Sequence, residues 1–179
     1  MNYDMTTTQT DTNNNFFEPS TAIVEIQDGN LYFTGDIDDK SAYRFMYLLH
    51  EIEKSKRDYV DKTCKLYLTS NGGHCTSGLL MYDVLRNSSL DITVIASGVI
   101  SSTAIIPLLG TDKRKCTSNT NFMIQSASTW VSSTFSEMLF QQFVDIYSKH
   151  TKITKDMMQE EIFFGAKQAL DLQLVNEVL

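Results

Sequence analysis

Two short stretches hold residue types that could carry out acyl-transfer chemistry. One is the glycine pair in Asn71-Gly72-Gly73, and the other is Ser102 within Ala96-Ser-Gly-Val-Ile-Ser-Ser-Thr-Ala-Ile-Ile-Pro107. A serine hydroxyl is a weak nucleophile until a neighbouring base takes its proton. The full chemistry needs that base in hydrogen-bond reach, a group that orients it, and preorganised donors for the developing oxyanion. Donors are plentiful here. Gly73 can present its backbone N–H without a side chain in the way, and the N–H of Thr103 follows the serine at a helix start, where the peptide dipole helps. The same residues admit a plainer reading, in which Ser101-Ser102 caps a helix and Gly72-Gly73 is only a strand-to-helix turn.

The base is harder to find. His74 directly follows the glycine pair but would have to reach Ser102 from the donor side, His150 lies at the end of a long helical pattern, and His50 falls on a helix face. The three cysteines, Cys64, Cys75 and Cys116, follow no metal-ligand or CxxC spacing and read as small apolar residues of a reducing compartment. No metal and no cofactor is expected. The net charge is −7, and no basic stripe is interleaved with aromatics, so nucleic acid is not an expected partner. Lys113-Arg114-Lys115 is the one basic cluster and reads as a solvated loop. No apolar run is long enough to span a membrane, and the N-terminus has no signal-peptide pattern.

These residues need a scaffold, and 179 residues at 42% apolar content suffice for one domain with a tail. Residues 1–20, rich in Thr, Asn and Gln, read as a polar disordered tail, with Phe16-Phe17 as a small anchor; residues 21–179 read as the domain. Residues 22–26 and 31–34 are expected as strands joined by Asp28-Gly29-Asn30. Asp38 or Asp39 caps a helix with Ala42, Phe45, Met46, Leu49 and Ile52 at helical spacing. A strand over 65–69 leads to the glycine pair, and Thr76 or Ser77 starts the next helix. The β-branched run 92–96 reads as a strand buried on both faces, after which Gly98 turns the chain and Ser101 or Ser102 opens a helix shortened by Pro107. A strand over 121–125 follows. Thr134 to Glu137 form a capping-box pattern ahead of a helix with Met138, Leu139, Phe143, Ile146 and Tyr147 on one face, and the C-terminal part gives two short helices and a strand at Leu174-Val175. Such alternation predicts a parallel α/β fold.

In order along the chain, Leu31-Tyr-Phe-Thr-Gly-Asp-Ile37, Leu66-Tyr-Leu-Thr-Ser-Asn-Gly-Gly73, Met81-Tyr-Asp-Val84, the serine turn, Asn121-Phe-Met-Ile-Gln125, His150-Thr151 and Phe163-to-Asn176 resemble the ClpP family, the proteolytic subunit of the Clp protease within the crotonase-like superfamily. The resemblance covers roughly residues 30–179. It implies a ββα superhelix around a parallel sheet, heptameric rings formed with itself or other ClpP-type subunits, an ATPase unfoldase as partner and polypeptides as substrates. It also places Ser102 at the nucleophile position, Gly73 and Thr103 at the oxyanion hole, Gln125 where the family has its histidine, and Glu161 where it has its aspartate. The chain departs from the pattern in several places. Asn71 replaces the proline before the glycine pair, residues 126–131 lack the family's glycines, and the segment leading into the long helix is shorter.

Gln125 is the departure that bears on activity. An amide can hold a serine hydroxyl but does not titrate near neutral pH. The resemblance therefore leads to a ring subunit with impaired or absent autonomous proteolysis. Two readings compete with it: an active serine endopeptidase with an atypical triad, and a crotonase-type enzyme that stabilises a thioester enolate. The expected location is the cytoplasm or another reducing compartment, such as an organelle stroma or the cytoplasm of a virus-infected host cell.

Overall fold

The computed structural model describes residues 22–124 and 134–179. The tail of residues 1–20 with Phe16-Phe17, the position of Gln125, and the segment 126–131 lie outside the described residues. The described residues open with a hairpin of β1 (Ile23–Gln27) and β2 (Asn30–Thr34), closed by Asp28 and Gly29. Both turn residues have positive φ, 51° and 72°, which is the two-residue geometry that Asp-Gly serves. Helix α1 (Asp39–Ser55) follows. Asp38 caps it by accepting from the Ser41 N–H at 2.7 Å, and the Ser41 hydroxyl accepts from the Asp38 N–H at 2.9 Å.

The next units are β3 (Thr63–Ser70), α2 (Cys75–Arg86), β4 (Asp91–Ser101), a 3-10 turn at Ser102–Ala104 and α3 (Ile105–Leu108). They are followed by β5 (Lys113–Cys116), β6 (Asn121–Ile124), α4 (Thr134–His150), β7 (Ile162–Gly165), α5 (Ala166–Asp171) and β8 (Glu177–Val178). Strands β2, β3, β4, β5 and β8 run parallel in that order; β6 pairs with the far end of β4 in parallel and carries β7 antiparallel on its other edge. The expected α/β fold with a parallel sheet core is the one found. Phe33, Leu66, Leu68, Val94 and Ile100 from the strands and Phe45, Leu49 and Met81 from α1 and α2 form one buried core.

Several expectations need correction. Gly98 does not end its strand: β4 continues to Ser101, and Gly98 (φ +66°) sits in a bulge that shifts the β3–β4 register between Leu68 and Ser70. Helix α2 starts at Cys75 behind His74, with no side-chain cap, and the Ser77 hydroxyl donates instead to Asp39 at 2.6 Å. Lys113-Arg114-Lys115 is strand β5, not a solvated loop, and Arg114 is buried. On α4 the buried face is Leu139, Phe143, Val144 and Tyr147, while Met138 is exposed. The last strand lies at Glu177–Val178, because Leu174 and Val175 are core residues of the turn before it, and β7 is a further strand.

Candidate active site

Strand β4 delivers the serine turn. Ser101 is still extended, and Ser102 then adopts φ +53°, the left-handed region that costs a residue with a Cβ about 1–2 kcal/mol. A helix cap has no use for that strain. The Ser101 side chain, at the position before the 3-10 turn, makes no capping hydrogen bond either. The plainer reading of Ser101-Ser102 as a cap therefore fails, and what remains resembles a sharp strand-to-helix elbow that lifts one hydroxyl out of the sheet. Ser102 is half-buried, between buried Ser101 and Thr103.

The glycine pair lies directly against this elbow. Gly72 has φ +99°, and a Cβ on it would stand 2.8 Å from the Ser101 carbonyl oxygen, 3.0 Å from the Ser102 Cβ and 3.1 Å from the Thr103 nitrogen. Gly73 has φ +144°, and a Cβ there would come within 2.1 Å of the Ile37 carbonyl oxygen. Only glycine fits at either position. The pair is anchored on three sides. The Ile37 N–H donates to Gly72 O at 2.8 Å, the His74 N–H donates to Ile37 O at 2.7 Å, and the Thr103 hydroxyl donates to Gly73 O at 3.0 Å. The Gly72 N–H is taken by the buried Ser70 hydroxyl at 3.0 Å. Among the described residues, the N–H groups of Gly73 and Thr103 have no hydrogen-bond acceptor. Two uncommitted amide donors thus flank a strained serine, and such a pair can bind a carbonyl oxygen as it gains charge.

The remaining expected residues divide clearly. Ser101 pairs with Met123 across β4–β6, and Ile124, the last described residue of β6, pairs with Ile162 at the start of β7. Glu161 directly precedes that strand and is exposed. These pairings bring the Glu161 end of β7 and the end of β6 to the serine turn. Gln125, the residue after Ile124, is outside the described residues.

None of the chain's three histidines is hydrogen-bonded to Ser102. The His74 imidazole is exposed and turns its Nδ1 toward Asp39 Oδ1 at 3.7 Å. His50 lies on the surface 3.9 Å from Glu53. The His150 Nε2 shares a hydrogen bond with the Tyr82 hydroxyl at 2.9 Å, and burial, followed by the Arg114 and Arg86 charges, lowers its pKa below the usual range. Cys75 borders the site, 3.6 Å from the Thr103 hydroxyl, and burial pushes its thiol pKa up, away from the nucleophilic thiolate form. Among the described residues there is no cluster of three or more metal-ligating side chains, and no helix is long and apolar enough to cross a membrane.

Spacing alone did not disclose Ile37, whose backbone anchors the glycine turn, or the hydroxyl of Thr103. Both contacts join segments about thirty or more residues apart, and no local pattern marks them.

A family model for Clp protease matches residues 20–179 of the chain. The chain is similar to the ATP-dependent Clp protease proteolytic subunit of Paracoccus denitrificans, at 28% identity over 81% of this chain and 78% of the relative. It resembles the subunit of the same name from Oltmannsiellopsis viridis to the same degree, 28% over 83% and 82%. In three dimensions the fold is that of ClpP1 from Listeria monocytogenes, with a TM-score of 0.77 at 18% identity, covering 84% of this chain and 91% of that one. A peptidase from Plasmodium falciparum superposes with a TM-score of 0.73 at 17% identity, covering 84% and 95%. With the family match spanning nearly the whole chain, the protein belongs to the Clp protease family.

Proposed function

We propose that the protein is a ClpP-type ring subunit that keeps the carbonyl-binding half of a serine peptidase site and lacks the proton-transfer half. In this reading Ser102 is the nucleophile position, Gly73 and Thr103 are the oxyanion donors, Gln125 replaces the imidazole, and Glu161 stands in the place of the orienting carboxylate. The observation that carries the reading is the strained Ser102 (φ +53°) between two N–H groups that have no acceptor among the described residues, with no histidine of the chain bonded to it. A glutamine side chain can accept from the serine hydroxyl but cannot hold its proton. Loss of a triad member leaves roughly 10³–10⁴-fold acceleration over water, supplied by the oxyanion hole and binding. The subunit would assemble with itself or with other ClpP-type subunits in heptameric rings, receive polypeptide from an ATPase unfoldase, and contribute structure to the chamber more than cleavage.

The retained strain at Ser102 favours one other reading, an active endopeptidase with an atypical triad, because a site without use for the hydroxyl has no reason to hold a serine at positive φ. Labelling with a fluorophosphonate, combined with native mass measurement, tests the proposal. Slow labelling that Ser102→Ala abolishes, on a ring-sized particle, supports it. Labelling unchanged by that substitution would remove Ser102 from the site, and a strict monomer at high concentration would remove the ring.

A further inference from the structure

We infer that the side-chain hydroxyl of Thr103 is a positioning group for the oxyanion site: it fixes the glycine turn so that the Gly73 N–H, and no other polar group of that turn, is presented to the substrate. The inference rests on the proposed site and gives the anchoring hydroxyl of Thr103 a function in it. Two peptide planes meet at Gly73, and each has one carbonyl and one N–H. The Gly72 carbonyl is held by the Ile37 N–H at 2.8 Å, the His74 N–H is held by the Ile37 carbonyl at 2.7 Å, and the Gly73 carbonyl is held by the Thr103 hydroxyl at 3.0 Å. The fourth group, the Gly73 N–H, has no acceptor among the described residues. Glycine rotates freely about its own bonds, so without the third tie the 73–74 plane is held at one end only. Thr103 also contributes the other N–H that has no acceptor among the described residues, so a single residue supplies one donor and orients the second. A bond 3.0 Å long between the two donor segments sets their separation, which is the quantity an oxyanion hole must hold constant.

The methyl of Thr103 keeps the hydroxyl aimed. A Cβ on Gly78, in the first turns of α2, would stand 2.3 Å from the Thr103 Cγ2, so the methyl occupies the space that this glycine leaves. With Cγ2 seated there, the hydroxyl points to the Gly73 carbonyl; Cys75 Sγ lies 3.6 Å beyond it. Threonine's branched side chain thus performs two tasks, and two substitutions separate them. Thr103→Val keeps the branch and removes the hydroxyl, whereas Thr103→Ser keeps the hydroxyl and removes the methyl.

The full-length protein carries the test in two measurements. In the first, fluorophosphonate labelling of Ser102 is timed: the Oγ–P bond forms, the P–F bond breaks, fluoride leaves, and the hydroxyl proton passes to water. Thr103→Val is expected to slow labelling roughly tenfold, less than the roughly 10²–10³-fold that loss of a donor itself costs, while Thr103→Ser stays within about threefold. In the second, amide hydrogen exchange of the segments 36–38 and 72–76 is followed by mass spectrometry. Thr103→Val should speed exchange there, Thr103→Ser should not, and β3 and β4 should be unchanged in both. Exchange that is unaltered in the valine variant, or equally faster in both variants, would overturn the inference. That holds whether or not Ser102 reacts, so failure of the proposed nucleophile and failure of the positioning role are separately visible.

Discussion

Gly72 and Ser102 are in direct contact: a methyl group added to the glycine would stand 3.0 Å from the serine Cβ and 2.8 Å from the carbonyl oxygen of Ser101. Two segments joined by a whole helix and strand therefore meet with no room for one carbon atom. At φ +99° the glycine also has a backbone conformation that alanine adopts only under strain.

Gly72→Ala should accordingly displace the serine elbow and destabilise the fold by about 2 kcal/mol. Chemical denaturation gives the stability, and fluorophosphonate labelling reports the elbow. A variant as stable and as reactive as the parent would show that the contact between the turns is looser than described.

Gly78→Ala sets two effects against each other. In the interior of a helix, alanine is favoured over glycine by about 1 kcal/mol. Here the new methyl would lie 2.3 Å from the Thr103 Cγ2, which is itself buried. The steric term should dominate, giving net destabilisation and a displaced Thr103; a rise in melting temperature would refute that ranking.

Arg114 is the residue for which the sequence is most misleading. Its guanidinium is buried and donates to the carbonyls of Thr111 at 2.8 Å, Leu174 at 2.9 Å, Gln173 at 3.1 Å and His150 at 3.3 Å. A lysine cannot reproduce that fan of donors, so Arg114→Lys should cost about 3 kcal/mol and loosen the chain after α5. Denaturation midpoints check the first part, and limited proteolysis near residues 172–176 checks the second. A loss below 0.5 kcal/mol, the size expected of a surface site, would contradict this assignment.

His150 predicts a pH dependence. Its folded pKa is lowered from 6.5, chiefly by burial and then by the Arg114 and Arg86 charges, with Lys149 adding to the effect and Asp112 opposing it. The unfolded chain then binds the proton more readily than the folded one, so this contribution is fully present above about pH 6.5 and is lost as pH falls below it. His150→Gln, which keeps a polar partner for the Tyr82 hydroxyl, should flatten the decline in melting temperature between pH 7 and pH 5. Equal declines in both proteins would show that His150 carries none of it.

Local signals were legible wherever a feature depends on neighbouring residues. Asp28-Gly29 declared its hairpin, the Asp38-Asp39 pair declared the start of α1, and Pro107 declared a short helix. The signal failed where distant partners decide. Gly98 reads as a turn, yet the strands beside it keep β4 in the sheet and absorb the positive φ as a bulge. Lys113-Arg114-Lys115 reads as solvent-facing. It is a strand because Lys113 meets Asp91, Lys115 meets Glu177, and two of the four carbonyls around the Arg114 guanidinium come from a segment about sixty residues later. Of the proposed site, Gly73, Ser102 and Thr103 can be named from their types and order. The contacts that hold them together were not, because a hydroxyl-to-carbonyl bond across thirty positions leaves no periodicity.

The peptidase activity of Gln125→His, measured on a fluorogenic peptide beside the parent chain and the Gln125→His, Ser102→Ala double variant, tests the central claim most directly. If the site keeps its carbonyl-binding half and lacks only a base, the histidine should raise turnover at least tenfold, and removing Ser102 should abolish the gain; general-base catalysis contributes roughly 10²–10⁴-fold where geometry is favourable. A parent chain that already cleaves through Ser102, with no gain from histidine, would contradict the account and identify the protein as a working peptidase with a different base.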